Sequence, residues 1–332
     1  FLIVTGSALA AAVGDWAQAM STATPATSAG GRRRLTTATV AHLEQRLDHL
    51  RRLDDSLGGR DLLRVAAGEF ELIGSLASGT VYDTATGRRL FSALSEAGRV
   101  CGWLHFDQGY QAAAQKYYLT ALRASATAGD PETGANVLAF MAIQAYSAGD
   151  PRDAVALGQA ASQQVTHKTT PKVRAILRAR TARALSKTPG GKADCARELT
   201  AARDAVAAGS RDDDPAWSYW VTPAEIEMLA GSCALDLGDP RQALRCFDAA
   251  RDADYNANGY VRDNALFLTR AAEAHLALGN VTEACGLASQ ALTQNTDIES
   301  ARPAGAIAGF RHQLKPYQSV PEARDFLELS RT

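Results

Sequence analysis

Apolar residues return at every third or fourth position over long reaches of this chain. From Thr39 to Leu57 they fall at Val40, Leu43, Leu47, Leu50, Leu53 and Leu57, with charged residues between them. That spacing lines one face of a helix. The same rhythm predicts helices over Asp61–Ser78 and Thr84–His105 and a basic helix over Lys172–Leu185 carrying Arg174, Arg178, Arg180 and Arg183. Two more are expected from Arg302 to about Leu314 and from Pro321 to Leu329. No apolar run alternates with period two, and the 11 prolines fall in predicted turns or at helix starts. The fold class expected is therefore all-α.

A longer period overlies the short one. Gly109, Gly149, Gly190, Gly238 and Gly279 follow one another at intervals of 40, 41, 48 and 41 residues, each with a small residue five positions on. Self-similarity at such a period marks stacked repeats. The form Gly-Asp-Pro occurs at Gly129, Gly149 and Gly238. Glycine can end a helix in the left-handed conformation, aspartate can cap the next, and proline suits its first position. Alanines such as Ala121, Ala161, Ala202, Ala250 and Ala291, seven further on, let neighbouring helices approach closely. Thr222 with Glu225 reads as a capping box around Pro223.

These residues resemble the tetratricopeptide repeat (TPR), its period stretched from 34 to about 40 residues. Leu138, Met141, Ala142 and Ala145 match first-helix positions, and Ala154 and Ala161 second-helix positions, with Gly158 where a large apolar residue is usual. Ala230, Gly231, Ala234, Ala243, Phe247 and Ala250 match in the fourth copy, whereas Cys195 and Gly190-Gly191 make the third a poor one. The resemblance implies a right-handed α-solenoid of TPR-like helix pairs with a period of about 40 residues. Its ligand surface would be the concave face lined by first helices. Carried onto this chain, that register puts Trp103, Asn136, Ala139, Ile143 and Tyr146 there. Arg180, Lys187, Met228, Ser232, Asp236, Thr269 and Glu273 follow from the later copies. Trp217, Tyr219 and Trp220, in the irregular copy, are expected as a lid, a dimer contact or a staple onto the next helix.

Composition narrows the partners. A net charge of −1 gives no general attraction for nucleic acid or acidic lipid. The five cysteines form no Cys-x-x-Cys pair and read as buried reduced thiols of a cytoplasmic protein. The apolar stretch Phe1–Val13 is too short to span a bilayer; we expect it to dock on the array as a helix, an export signal being the alternative. Ser21–Gly31 reads as a linker ending in Arg32-Arg33-Arg34. His42 and His49 are expected as surface residues, with no metal site. Gly190-Gly191-Lys192 lacks the serine or threonine of a phosphate loop, and no motif of a hydrolase, zinc protease or dinucleotide enzyme occurs. The expectation is neither an enzyme nor a cofactor protein.

A second resemblance covers nearly the whole chain. Phe1-Leu-Ile-Val-Thr-Gly-Ser-Ala-Leu9, Ala97-Gly98 with Trp103-Leu-His-Phe-Asp107, Gly129-Asp130 with Gly134-Ala-Asn-Val-Leu138, Trp217-x-Tyr219 and Val320–Phe326 resemble the sensor half of bacterial Cro/C1 (XRE)-type helix-turn-helix regulators. It implies a junction segment and linker over 1–38, N-terminal helices over 39–92, repeats over 93–295 and capping helices over 296–332. It also implies a cytoplasmic homodimer that takes a peptide or small-molecule effector, touches DNA only through a domain preceding Phe1, and has no membrane partner. A stand-alone TPR adaptor for other proteins, or an exported array, remain the alternatives.

Overall fold

The computed structural model describes residues 3–22, 33–57, 59–164, 166, 168–253, 255–298 and 300–330. These form an all-α protein. The helices are α1 (Gly6–Thr22), α2 (Thr37–Leu57), α3 (Gly59–Gly79), α4 (Thr84–Asp107), α5 (Gln111–Ala128), α6 (Pro131–Ala148), α7 (Pro151–Gln163) and α8 (Pro171–Ser186). They continue with α9 (Lys192–Ala207), α10 (Pro223–Asp236), α11 (Pro240–Asp252), α12 (Val261–Ala277), α13 (Val281–Ile298), α14 (Ala301–Leu314) and α15 (Pro321–Leu329). The expected linker over Ser21–Gly31 begins as the last turn of α1, and its residues 23–31 lie outside the described residues. One parallel pairing of Arg33–Arg34 with Thr80–Val81 departs from the all-helical expectation. Two residues are too few to leave an alternating signature.

Helix junctions follow the chemistry of their residues. Gly129 is left-handed (φ 66°), Asp130 Oδ1 accepts from the Thr133 amide at 3.0 Å, and Pro131 opens α6. Gly238 (φ 79°) and Asp239, which accepts from the Gln242 amide at 2.9 Å, repeat the arrangement before α11. Gly149 departs from it. Its φ is −135°, so the chain leaves α6 without a left-handed residue while its N–H donates to Ala145 O at 2.9 Å. Asp150 still caps α7, accepting from the Arg152 amide at 2.8 Å.

Consecutive helices pack as pairs, α4 with α5, α6 with α7, α8 with α9, α10 with α11 and α12 with α13. The first helix of each pair also touches the first of the next, along α4, α6, α8, α10, α12 and α14. Fully buried alanines at the small-residue positions, among them Ala121, Ala154, Ala202, Ala243, Ala250 and Ala291, permit that approach. The apolar N-terminal stretch docks as α1 on α5 and α7 through Leu9 and Trp16, whose Nε1 donates to Ser125 Oγ at 2.9 Å. The seat for Trp16 is Gly134: a Cβ there would penetrate the indole and stand 2.8 Å from Ser125 Oγ. Gly134→Ala is thus expected to expel α1 at about 1–3 kcal/mol. Limited proteolysis should then cut within α1 first; unchanged resistance there would contradict the docking.

The α2 stripe holds for only part of its length. Val40, Leu43, Leu47 and Leu50 are buried, but Leu53 and Leu57 are 45% and 53% exposed, and Arg51 and Asp54 are buried in their stead. The last turns of α2 leave the apolar core and reach α12 and the 3-10 turn Ala216–Ser218. Residues far apart in sequence meet there, and they close one side of a chamber.

Candidate functional site

The first helices of the pairs surround a cavity of about 750 Å³. Each helix contributes at helical spacing: Arg99, Trp103 and Phe106 from α4; Phe140 and Tyr146 from α6; Arg180, Arg183 and Lys187 from α8; Glu225, Leu229 and Ser232 from α10. Arg262, Asp263, Phe267, Arg270 and Glu273 follow from α12, and Arg302 from α14. Arg51, Asp54 and Asp55 of α2 face them, and Tyr219, Trp220, Tyr255 and Tyr260 come from the connections.

Of the residues expected on the concave face, Trp103, Tyr146, Arg180, Lys187, Ser232 and Glu273 line this cavity. Others do not. Asn136, Ile143, Met228 and Thr269 are buried between helices at 1%, 1%, 4% and 0% exposure, and Ala139 likewise belongs to the core. For Met228 and Thr269 the reason is a small rotation of register. On α10 and α12 the cavity stripe steps back three residues, from Ser232 to Leu229 and from Glu273 to Arg270. Met228 and Thr269, four residues back, fall on the edge of the stripe against neighbouring helices. Among the expected lid residues, Trp217 is core, whereas Tyr219 and Trp220 line the chamber. The Thr222 cap holds, its Oγ1 accepting from the Glu225 amide at 3.2 Å. The carboxylate of Glu225, however, is turned to the cavity.

The wall is stitched by buried ion pairs. Arg262 donates to Asp54 Oδ1 at 2.7 Å and Oδ2 at 3.1 Å, and Trp103 Nε1 donates to Asp54 Oδ2 at 3.0 Å. Ser300 Oγ donates to Asp107 Oδ1 at 2.9 Å, so α4 is tied to the start of α14. Glu96 accepts from Arg51 at 2.9 Å and from Arg99 at 2.7 Å; burial opposes its ionisation, yet the two guanidinium groups hold it below the usual range. At the other end Asp236 of α10 binds Arg183 of α8 at 2.5 Å, Arg270 of α12, and Lys187 at 3.5 Å. Despite its burial, these cations hold its carboxyl well below normal.

Two carboxyls shift the other way. Asp55 is pushed up to about 7, chiefly by burial, although Tyr219 donates a hydrogen bond to it. Glu225 is pushed up to about 8, again chiefly by burial; Arg180 and Arg302 oppose the shift and Asp263 adds to it. Aromatic faces carry cations around them, with Arg302 over Trp103 at 4.5 Å, Arg99 over Phe140 at 4.5 Å and Arg180 over Trp220 at 5.7 Å. Such mixed chambers fix a ligand by a few polar groups against apolar walls. Buried Arg51, Asp54, Arg99 and Arg262, and the unpaired Glu225, escape a pattern search because charged residues normally mark the outside of a helix. Their signal in the sequence is charge at positions that continue an apolar face, as at Asp54 between Leu50 and Leu57.

All five cysteines are buried free thiols. Among the described residues no cluster of three or more histidine, cysteine or acidic side chains could hold a metal, and no helix is long and apolar enough to cross a membrane. No protein-family model, curated protein or solved structure matches the chain, so the geometry of the chamber carries its interpretation.

Proposed function

We propose that this chain is a ligand-sensing module whose chamber holds a peptide or small-molecule effector. In this reading the helix pairs form a right-handed TPR-like solenoid. Effector occupancy controls an attached DNA-binding domain in a cytoplasmic, homodimeric regulator of the Cro/C1 (XRE) type. The observation that carries the binding role is the cavity of about 750 Å³, walled by the first helices and lined with aromatic and charged side chains, a size that suits a drug-sized or short peptide ligand. The regulatory role is supported by the likeness of the Phe1–Leu9, Trp103–Asp107 and Val320–Phe326 segments to that family. In this reading the chamber binds its ligand without transforming it.

Native mass spectrometry of the gene product purified from its own cells tests this. A molecule released on unfolding is expected, with retention lowered about tenfold by Trp220→Ala, the loss of one stacking contact. Addition of the released molecule should change a DNA mobility shift of the full gene product. Recovery of a stoichiometric protein partner with an empty chamber would instead favour the stand-alone adaptor.

A further inference from the structure

Most cations of the chamber are already satisfied. Arg51, Arg99, Arg183, Arg262 and Arg270 each donate to a carboxylate. Two guanidinium groups stand apart. Arg180 donates to no carboxylate among the described residues and has only the Trp220 ring, at 5.7 Å. Arg302 lies 3.7 Å from Asp263 and 3.8 Å from Asp107, beyond hydrogen-bond reach, and its Nη1 is buried with no acceptor. The hydroxyl of Tyr255 is likewise buried and without a partner. Glu225, in the same wall, makes no side-chain hydrogen bond among the described residues. Its carboxyl is pushed up to about 8 by burial, with Asp263 adding and Arg180 and Arg302 opposing. Near neutral pH it is mostly protonated and becomes a fourth donor. Arg302 and Tyr255 are therefore buried donors in want of an acceptor, costly if left unpaired, and Arg180 and Glu225 are half-buried donors that line the cavity beside them.

We propose that Arg180 and Arg302, together with Tyr255 and Glu225 of the same cavity wall, form a subsite for one carboxylate group of the ligand. This rests on reading the cavity as a ligand chamber. Charge selects the carboxylate over a phosphate dianion. Asp263 and Asp107 beside Arg302 already match the charges of Arg302 and Arg180, so the pocket has no surplus of positive charge to hold a dianion. A carboxylate brings one negative charge and lone pairs enough for two guanidinium groups, the phenol and the acid. The source is a small organic acid or the C-terminus of a peptide, since both present the same group.

The direction of the pH dependence follows. Facing Glu225 are Arg180 from α8, Asp263 from α12, Arg302 from α14, and Tyr255 and Tyr260 from the connection before α12. Protonated, Glu225 donates to the ligand; ionised, it repels the ligand and competes for Arg180. Affinity holds from about pH 6, where the ligand is still a carboxylate, to about pH 7, and falls as pH rises through the Glu225 value of about 8.

Calorimetric titration of the full chain with 3-phenylpropionate, N-acetyl-glycyl-phenylalanine, the amide of each and phenyl phosphate provides the test. At least one acid is expected to bind about tenfold tighter than its own amide, as loss of one charge-assisted hydrogen bond implies, and the tighter acid identifies the source. Arg180→Gln should lose about tenfold with an unchanged melt, and Arg180→Lys should recover part of it. Glu225→Gln should keep the affinity and lose the decline at high pH. Acids and amides binding alike, phenyl phosphate binding tighter than either acid, or a decline at high pH that survives Glu225→Gln would each overturn the subsite while leaving the chamber a ligand site. If no probe binds but native mass spectrometry recovers a ligand without a carboxylate, the subsite alone fails. If no probe binds and no ligand is recovered, the ligand-chamber reading fails with it.

Discussion

Asp54→Ala is expected to lower stability by about 3–5 kcal/mol, the cost of stranding a buried charge. Arg262 is only 4% exposed and would keep Asp107, 3.7 Å away, as its nearest carboxylate. Trp103 Nε1 loses its acceptor at the same time. The damage should concentrate where α2 meets α12, because Asp54 and Arg262 are 208 residues apart and join the two. Chemical denaturation of the purified chain measures the loss. Asp54→Asn combined with Arg262→Gln should cost less than the two single changes added together, since neither charge is then left alone. A single-variant cost below about 1 kcal/mol, the level of an exposed pair, would show that α2 does not close the chamber.

Asp236→Ala is expected to cost a similar amount, about 3–5 kcal/mol, and for a related reason. One carboxylate of α10 binds Arg183 and Lys187 of α8 and Arg270 of α12. Its removal leaves three cations facing one another, with Glu273 relieving only Arg270. The pH dependence has a definite sign. The folded carboxyl is held below its ordinary value, so its contribution is complete above the unfolded pKa of about 4 and is lost as pH falls below it. Wild-type stability should fall on acidification through that range more steeply than that of Asp236→Asn. Parallel curves would remove Asp236 as the source.

The register of the helices was legible because it rests on local chemistry. Asp130 and Asp239 cap as their positions next to proline require, and Val40, Leu43, Leu47 and Leu50 turn inward as their spacing demands. Gly149 shows the limit: a glycine in the same motif ends α6 with φ −135°, since glycine permits the left-handed state without compelling it. The candidate site was half legible. Trp103, Tyr146, Arg180, Lys187, Ser232 and Glu273 were placed by register alone, but the same register misplaced Asn136, Ala139, Ile143, Met228, Asp236 and Thr269. One residue of helical step separates a cavity wall from a helix interface, and sequence spacing does not resolve which neighbour a borderline position meets.

Local pattern by itself determined an all-α chain, where most of its helices start and stop, and which small residues let successive helices approach. These depend on interactions within a few residues of one another. Only the tertiary structure decided that α2 ends with Leu53 and Leu57 outward and Asp54 inward, and that Glu225 faces the chamber while its backbone serves the cap. A buried charge is tolerable only where a partner from a distant segment meets it, and that meeting is a property of the folded chain.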